Sequence, residues 1–196
     1  MIRFFDILFS LIGLAIISPL IILLSIAIKI ESKGPVFFKQ IRIGLNGNPF
    51  KLYKFRSMYE NSERKGQITI GSNDKRITRV GRFIRKYKMD ELPQLFNVFK
   101  GDMSLVGPRP EVPKYVEKYS VHQMKVLSIK PGITDYASIY FSNENDILAK
   151  KENPEEYYVK FLIPQKIRLN MIYIKNNNLY VYFKIIFTTL SRIFSN

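Results

Sequence analysis

Two adjacent carboxylates, Asp90 and Glu91, follow the most basic stretch of the chain. Lys75, Arg76, Arg79, Arg82, Arg85, Lys86 and Lys88 precede them with no acid among them. Side-by-side acids repel each other unless a cation lies close by. A divalent metal, ligated by a carboxylate and by substrate phosphates, would satisfy acids and cations together. A carboxylate held against an electrophilic phosphorus can also act as a nucleophile. The plain alternative is capping. Pro93 suits the first turn of a helix, which places Asp90 or Glu91 at or beside its N-cap.

Further cations sit in stiff surroundings. Pro108 and Pro110 flank Arg109 and restrict the backbone on both sides of it, which suits a guanidinium presented to a phosphate. Lys130 precedes the turn dipeptide Pro131-Gly132. Arg79, Arg82 and Arg85 recur every third residue opposite Val80, Phe83, Ile84 and Tyr87, the pattern of an amphipathic helix with a cationic face. That face either touches solvent and lipid headgroups or grips substrate phosphate.

The composition narrows the chemistry. The 196 residues carry 31 Lys and Arg against 16 Asp and Glu, a formal charge of +15 that points to anionic partners. Absence of Cys excludes disulfide scaffolds, thiolate catalysis and cysteine metal sites. A lone His makes a histidine metal centre or a Ser-His-Asp triad a poor reading. Carboxylates, Lys, Arg, backbone amides and a bound cation remain.

The positioning elements can be read in outline. Ile7 to Ile28 holds no charge and, as a helix, would span roughly a bilayer core. Ser18-Pro19 interrupts it: the proline ring strips the Ala15 carbonyl of its partner, and the Ser18 hydroxyl can bond back to that turn. Either a kinked span or a helix that turns and leaves by the face it entered fits these residues. Val36 to Ile43 and Phe50 to Phe55, around Asn46-Gly47, predict a β-hairpin. Glu60 to Asp74 reads as a mobile loop. Tyr180 to Phe194 reads as an interfacial amphipathic helix or a core helix, with Tyr157, Tyr158, Phe161, Lys160 and Lys166 as a second interface patch.

Taken in order, Lys54-Phe55-Arg56-Ser57-Met58, Asp90 to Leu95, Asn97-Val98, Gly101 to Ser104, Gly107 to Pro110 and Pro131 to Thr134 resemble the bacterial sugar transferases, the monotopic phosphoglycosyl transferases that begin glycan assembly on a polyprenol carrier. The length resembles their minimal catalytic form. The resemblance implies an α+β fold with an N-terminal re-entrant membrane helix broken at Ser18 and Pro19 (residues 1–30). A cytoplasmic catalytic domain (31–163) with a small β-hairpin or sheet and short amphipathic helices would follow, then C-terminal interfacial helices (164–196). It implies transfer of a sugar 1-phosphate from a UDP-sugar to undecaprenyl phosphate with release of UMP, at the cytoplasmic face of the bacterial inner membrane. Asp90 would be the nucleophile and form a covalent phosphosugar intermediate. Glu91, with Asp90, would hold Mg²⁺. Lys54, Arg109 and Lys130 would bind phosphates, and Arg85 is added to them by its proximity to Asp90 rather than by a matching motif. The lipid bilayer is the expected surface partner. A homo-oligomer or downstream glycosyltransferases are compatible partners, and nucleic acid is not expected.

Three positions depart from the family pattern. Lys130 stands where many relatives have Arg, Asp135 where many have Gly, and Tyr182 where an acid is expected. Two other classes compete with this reading. A membrane-anchored basic protein that binds nucleic acid or anionic lipid explains the charge but not Asp90-Glu91. A metal-dependent phosphohydrolase would use water in place of the lipid.

Overall fold

The uncharged N-terminal run folds as a single helix, α1 (Ile2–Glu31), in the computed structural model, which describes residues 1–60, 62 and 74–194. Then come β1 (Phe37–Ile43), β2 (Pro49–Phe55), α2 (Arg79–Lys86), α3 (Gln94–Lys100), β3 (Ser104–Val106), α4 (Pro113–Val116), β4 (Gly132–Thr134), α5 (Tyr136–Tyr140), α6 (Glu144–Ala149), α7 (Pro154–Tyr157), α8 (Ile163–Lys175) and α9 (Leu179–Phe194). This is a mixed fold of helices around two small sheets. Most of the segment read as a loop between Glu60 and Asp74 lies outside the described residues.

The helix break expected at Ser18 and Pro19 is not seen: Pro19 lies inside α1 without ending it. The Ser18 hydroxyl donates to the Ala15 carbonyl at 2.9 Å, the acceptor that Pro19 deprives of its N–H. Asp6, Ser10, Leu24 and Ile28 are buried, with Gly13, Ile17 and Ile21 half-buried between them. That spacing of three and four puts one stripe of the helix against the body along its length. On the other sides Ile16, Ile22 and Leu23 stay largely exposed.

Both ends of α1 are bonded to the body. Arg3 donates to the carbonyls of Val98 at 2.5 Å and Phe99 at 2.7 Å, at the C-terminal end of α3, where helical acceptors begin to lack partners. Asp6 Oδ1 accepts from the Ser104 hydroxyl, the Leu105 N–H and the Tyr182 hydroxyl, each at 2.9 Å. At the other end Glu31 accepts from the N–H groups of Arg79 and Val80 and so caps α2. The Arg56 guanidinium donates to the carbonyls of Ser32, at 2.7 Å, and Lys33, closing the end of α1.

Strands β1 and β2 form the expected antiparallel hairpin, in register from Phe37 opposite Phe55 to Ile43 opposite Pro49. Asn46 and Gly47 take left-handed angles, φ 56° and 80°, as the Asn-Gly signal requires. A second sheet pairs β3 with β4 in parallel, Ser104 with Gly132 and Val106 with Thr134. Its backbones touch: a Cβ on Gly132 would lie 2.1 Å from the Gly107 nitrogen. The two Pro- and Gly-containing motifs are thus one packed unit.

The C-terminal helices join the core. Helix α8 buries Ile163, Lys166, Ile167, Asn170 and Tyr173, and Tyr182 and Ile185 of α9 are fully buried. Tyr180 and Phe187 remain exposed, so α9 has both a core face and an outward apolar face. The expected aromatic patch needs correction. Phe161 is exposed, but Tyr158 and Lys166 are buried, because the phenol donates to Glu111 and the ammonium donates to Glu144 at 2.9 Å. The apolar stripe of α2 also divides. Ile84 enters the core, while Phe83 and Tyr87 pack edge to face on the surface.

Candidate active site

Lys88, with φ 54°, reverses the chain after α2 into a 3₁₀ turn, Met89–Glu91, and Pro93 then leads into α3. Asp90 and Glu91 therefore sit one turn before α3 and make no cap for it, which corrects the capping alternative. Asn97, fully buried in α3, holds this turn against the hairpin. Its amide accepts from the Tyr53 N–H at 2.9 Å and donates to the Lys51 carbonyl at 2.8 Å. Asn97 stood in the motif, but its cross-linking role was not legible there.

The two acids have different surroundings. Glu91 Oε1 accepts from Lys54 Nζ at 2.8 Å and from an Arg109 nitrogen, and Oε2 accepts from Arg109 Nη1 at 3.0 Å. Burial alone would raise its pKa, but Arg109 and Lys54 outweigh that and hold the carboxyl well below the usual range. Lys54 is lowered by burial, against the pull of Glu91, and Arg109 is raised by the Glu91 carboxylate. Asp90 has no hydrogen-bond or ion-pair partner among the described residues. Burial first, and the Glu91 charge second, push its pKa up, against the cations Lys54, Arg85 and Arg109. Neighbouring carboxylates driven apart in this way are the physical signature of a division of roles.

Asp90, Lys54, Arg85 and Arg109 line one cavity of about 790 Å³. Three of the four expected phosphate-binding residues are thus gathered at the candidate nucleophile. Lys130 is not among the lining residues; its Nζ lies beside Gly101, near Arg3 at the end of α3. Ser18 and Pro19 lie on the exposed side of α1, apart from this site.

Arg109 is placed by a residue read only as a departure from the pattern. Asp135 is buried, and its Oδ2 accepts from the Arg109 N–H and from Asn170 Nδ2, both at 2.9 Å. Its other oxygen accepts from the Ser138 N–H and caps α5. Tyr182 likewise makes sense against Asp6, since an acid at 182 would oppose a buried carboxylate. Glu111 and Glu144, in no motif singled out from the sequence, also line the cavity.

Among the described residues no three carboxylates or imidazoles converge as a metal cage. Two adjacent carboxylates suit Mg²⁺, which keeps water and takes substrate phosphate as further ligands. Asp90 is free to contribute, whereas Glu91 would have to share its Lys54 and Arg109 contacts.

A family model described as bacterial sugar transferase matches residues 1–196. The chain is 54% identical over 117 residues to a putative undecaprenyl-phosphate N-acetylgalactosaminyl 1-phosphate transferase of Bacillus subtilis, covering 60% of this chain and 65% of that protein. It is 42% identical to a UDP-glucose:undecaprenyl-phosphate glucose-1-phosphate transferase of Klebsiella pneumoniae, over 99% of this chain and 40% of that one. It is 37% identical to an uncharacterized sugar transferase, EpsL, of Bacillus subtilis, over 97% of this chain and 86% of that one. Against the Klebsiella protein and its like, the chain spans about two-fifths of the relative's length.

Proposed function

Starting from the fact that this chain belongs to the bacterial sugar transferase family, we propose that it transfers a sugar 1-phosphate from a UDP-sugar to undecaprenyl phosphate. The observation that carries the reading is the division of the acid pair: Asp90 unbonded at a cavity lined by Lys54, Arg85 and Arg109, Glu91 clamped behind it.

An oxygen of the ionised Asp90 carboxylate attacks the phosphorus bonded to the sugar. A P–O bond forms, the bridging P–O bond to UMP breaks, and UMP leaves with that electron pair. The acceptor's phosphate oxygen then attacks the same phosphorus and displaces the Asp90 carboxylate, giving the polyprenyl diphosphate sugar. Lys54 and Arg109 provide positive charge beside the transferring phosphoryl group, and Arg85 adds to it from α2. Glu91 keeps the two half-buried cations oriented between turnovers. Mg²⁺, held by Asp90, Glu91 and the diphosphate, would neutralise charge on the leaving phosphate.

The acceptor lives in a bilayer, and α1 is the one described helix long and apolar enough to cross one. Its 30 residues would extend about 45 Å if straight. The same body is bonded to Arg3 and Asp6 at one end and to Glu31 at the other. A body fastened to both ends cannot lie on one side of a hydrocarbon core about 30 Å thick that the helix crosses. This favours a protein attached to one leaflet, with α1 unbroken through Ser18-Pro19, the body on the cytoplasmic face and Asp90 at headgroup level.

The test is membrane-reconstituted protein with a UDP-sugar panel, Mg²⁺ and undecaprenyl phosphate. UMP release that requires the lipid, is lost in Asp90→Asn and leaves a phosphosugar adduct on Asp90 without acceptor supports the reading. Release without lipid makes the protein a hydrolase. No release at all returns it to the binding proteins.

A further inference from the structure

The cavity that holds Asp90 is chemically two-sided. It follows β1 from Phe37 to Arg42, a stretch of about 17 Å at strand spacing. At the open end of the hairpin it is lined by Glu60, by Arg56, which donates to the Ser32 carbonyl at 2.7 Å, by Arg76, which pairs with Asp74 at 2.6 Å, and by Arg85. Towards the turn end, where Arg42 donates to the Pro110 carbonyl at 2.9 Å, it is lined by Glu111, Tyr115, Glu144, Asn145 and Tyr158. Asp90, Lys54 and Arg109 lie between. Lys54 pairs across the hairpin with Phe38, and Arg109 arrives from the loop that continues into Glu111.

The turn end is a charge-balanced hydrogen-bonding wall. Lys166 donates to Glu144 Oε2 at 2.9 Å and to the Tyr158 hydroxyl at 3.1 Å. Tyr158 donates to Glu111, and Arg42 pairs with Glu111 at 3.7 Å. Two cations thus face two carboxylates, and the wall has no surplus charge to attract a phosphate. It does have polar capacity left over. Glu144 bonds Lys166 through Oε2 alone, so Glu144 Oε1 and the Asn145 amide have no partner among the described residues, and the Tyr115 ring lines the wall beside them. Unused acceptors and donors at the end of a cavity suit a neutral, hydroxyl-rich ligand.

A nucleoside diphosphate sugar has the same polarity: a neutral polyol, then two phosphates, then a nucleoside. When its sugar-bearing phosphorus is at Asp90, the sugar and the nucleotide must point in opposite directions. Arg85, whose charge reaches Asp90, suits the side with the second phosphate. We propose that the wall formed by Glu144, Asn145 and Tyr115 receives the donor's sugar ring and sets which sugar is transferred, with Glu144 Oε1 and Asn145 accepting and donating hydrogen bonds to its ring substituents. This rests on the transferase reading above and adds the sugar-selecting residues to it.

The test is a specificity profile. Full-length protein in membranes with undecaprenyl phosphate and Mg²⁺ is given UDP-glucose, UDP-galactose and their N-acetylated 2-amino counterparts, and kcat/KM is measured for each. The inhibition constant of UMP is measured alongside. In Glu144→Gln and Asn145→Ala the ratio of kcat/KM between the best sugar and its C4 epimer or N-acetyl counterpart should shift by roughly tenfold. UMP inhibition should stay within about twofold, because the nucleotide lies at the other end. Asn145 is exposed, so its truncation leaves the core intact. A sugar ratio unchanged in both variants overturns the inference, as does weakened UMP inhibition with an unchanged ratio, which would assign the wall to the nucleoside. A wild-type protein that releases UMP from no UDP-sugar overturns the transferase reading itself. Turnover with an unmoved profile overturns only the sugar wall.

Discussion

Replacing Glu91 by Gln removes one negative charge from between two cations and keeps the side chain's shape. In the native arrangement Glu91 uses both oxygens on Lys54 and Arg109. The variant leaves Arg109 facing an amide N–H₂ on one side and leaves Lys54 without its counter-charge. Breaking a buried ion pair typically costs about 3–5 kcal/mol. The side chains of Lys54, Glu91 and Arg109 keep 16%, 23% and 33% of their surface exposed, so water returns part of that loss. An expected cost of roughly 1.5–3 kcal/mol follows. In a chain of this size it lowers the melting temperature by roughly 3–12 °C. If the same clamp orients the cations for phosphoryl transfer, kcat/KM falls by roughly 10- to 150-fold. The assays are thermal unfolding in lipid nanodiscs and UMP release across a Mg²⁺ titration. A clamp leaves the deficit in place at saturating Mg²⁺, whereas a role confined to metal binding lets high Mg²⁺ restore the rate. A melting temperature within about 1 °C of wild type, with kcat/KM within about threefold, refutes the reasoning.

Four further outcomes are expected. The acid limb of the kcat/KM profile should lie above the ordinary aspartate value of 3.8, because burial and Glu91 favour the protonated form of Asp90. A limb at or below that value contradicts the burial. A raised native pKa also means that Asp90 stabilises the fold fully below the unfolded value and less as pH rises through the native one. Wild type should therefore lose stability relative to Asp90→Asn as pH climbs through that window. Asp6→Ala strands three donors and should cost about 3 kcal/mol or more, while Tyr182→Phe costs about 1 kcal/mol alone. A double-mutant cycle on unfolding should show about 1–2 kcal/mol of coupling, and simple additivity would deny the bond. Asp135→Asn turns an amide N–H₂ towards the Arg109 or Ser138 N–H. Steady-state kinetics should show kcat/KM lowered by about tenfold as the Arg109 loop loosens, against no change if the loop is held by its prolines alone.

Local rules carried much of the structure. Apolar alternation around Asn46-Gly47 gave the hairpin, and the uncharged run gave α1, down to the Ser18 hydroxyl on the Ala15 carbonyl. The Asp90-Glu91 pair and Arg109 between two prolines already marked the candidate site. These features depend on neighbours a few residues apart, whose geometry is set by backbone dihedrals and side-chain period. The partnerships were not legible. Asp6 meets Tyr182 across 176 residues, Glu91 meets Lys54 across 37, and Asp135 meets the Arg109 backbone across 26. Nor could composition separate Lys166, buried against Glu144 and Tyr158, from the many solvated lysines, since a cation's burial depends on what folds over it. The sequence determined which chemistry was at hand and which elements would hold it. The packing of α3, β2 and the Pro108–Pro110 loop around one cavity decided which acid is clamped and which is free, because pKa and reactivity follow the charges and solvent within a few ångströms, wherever in the chain those charges arise.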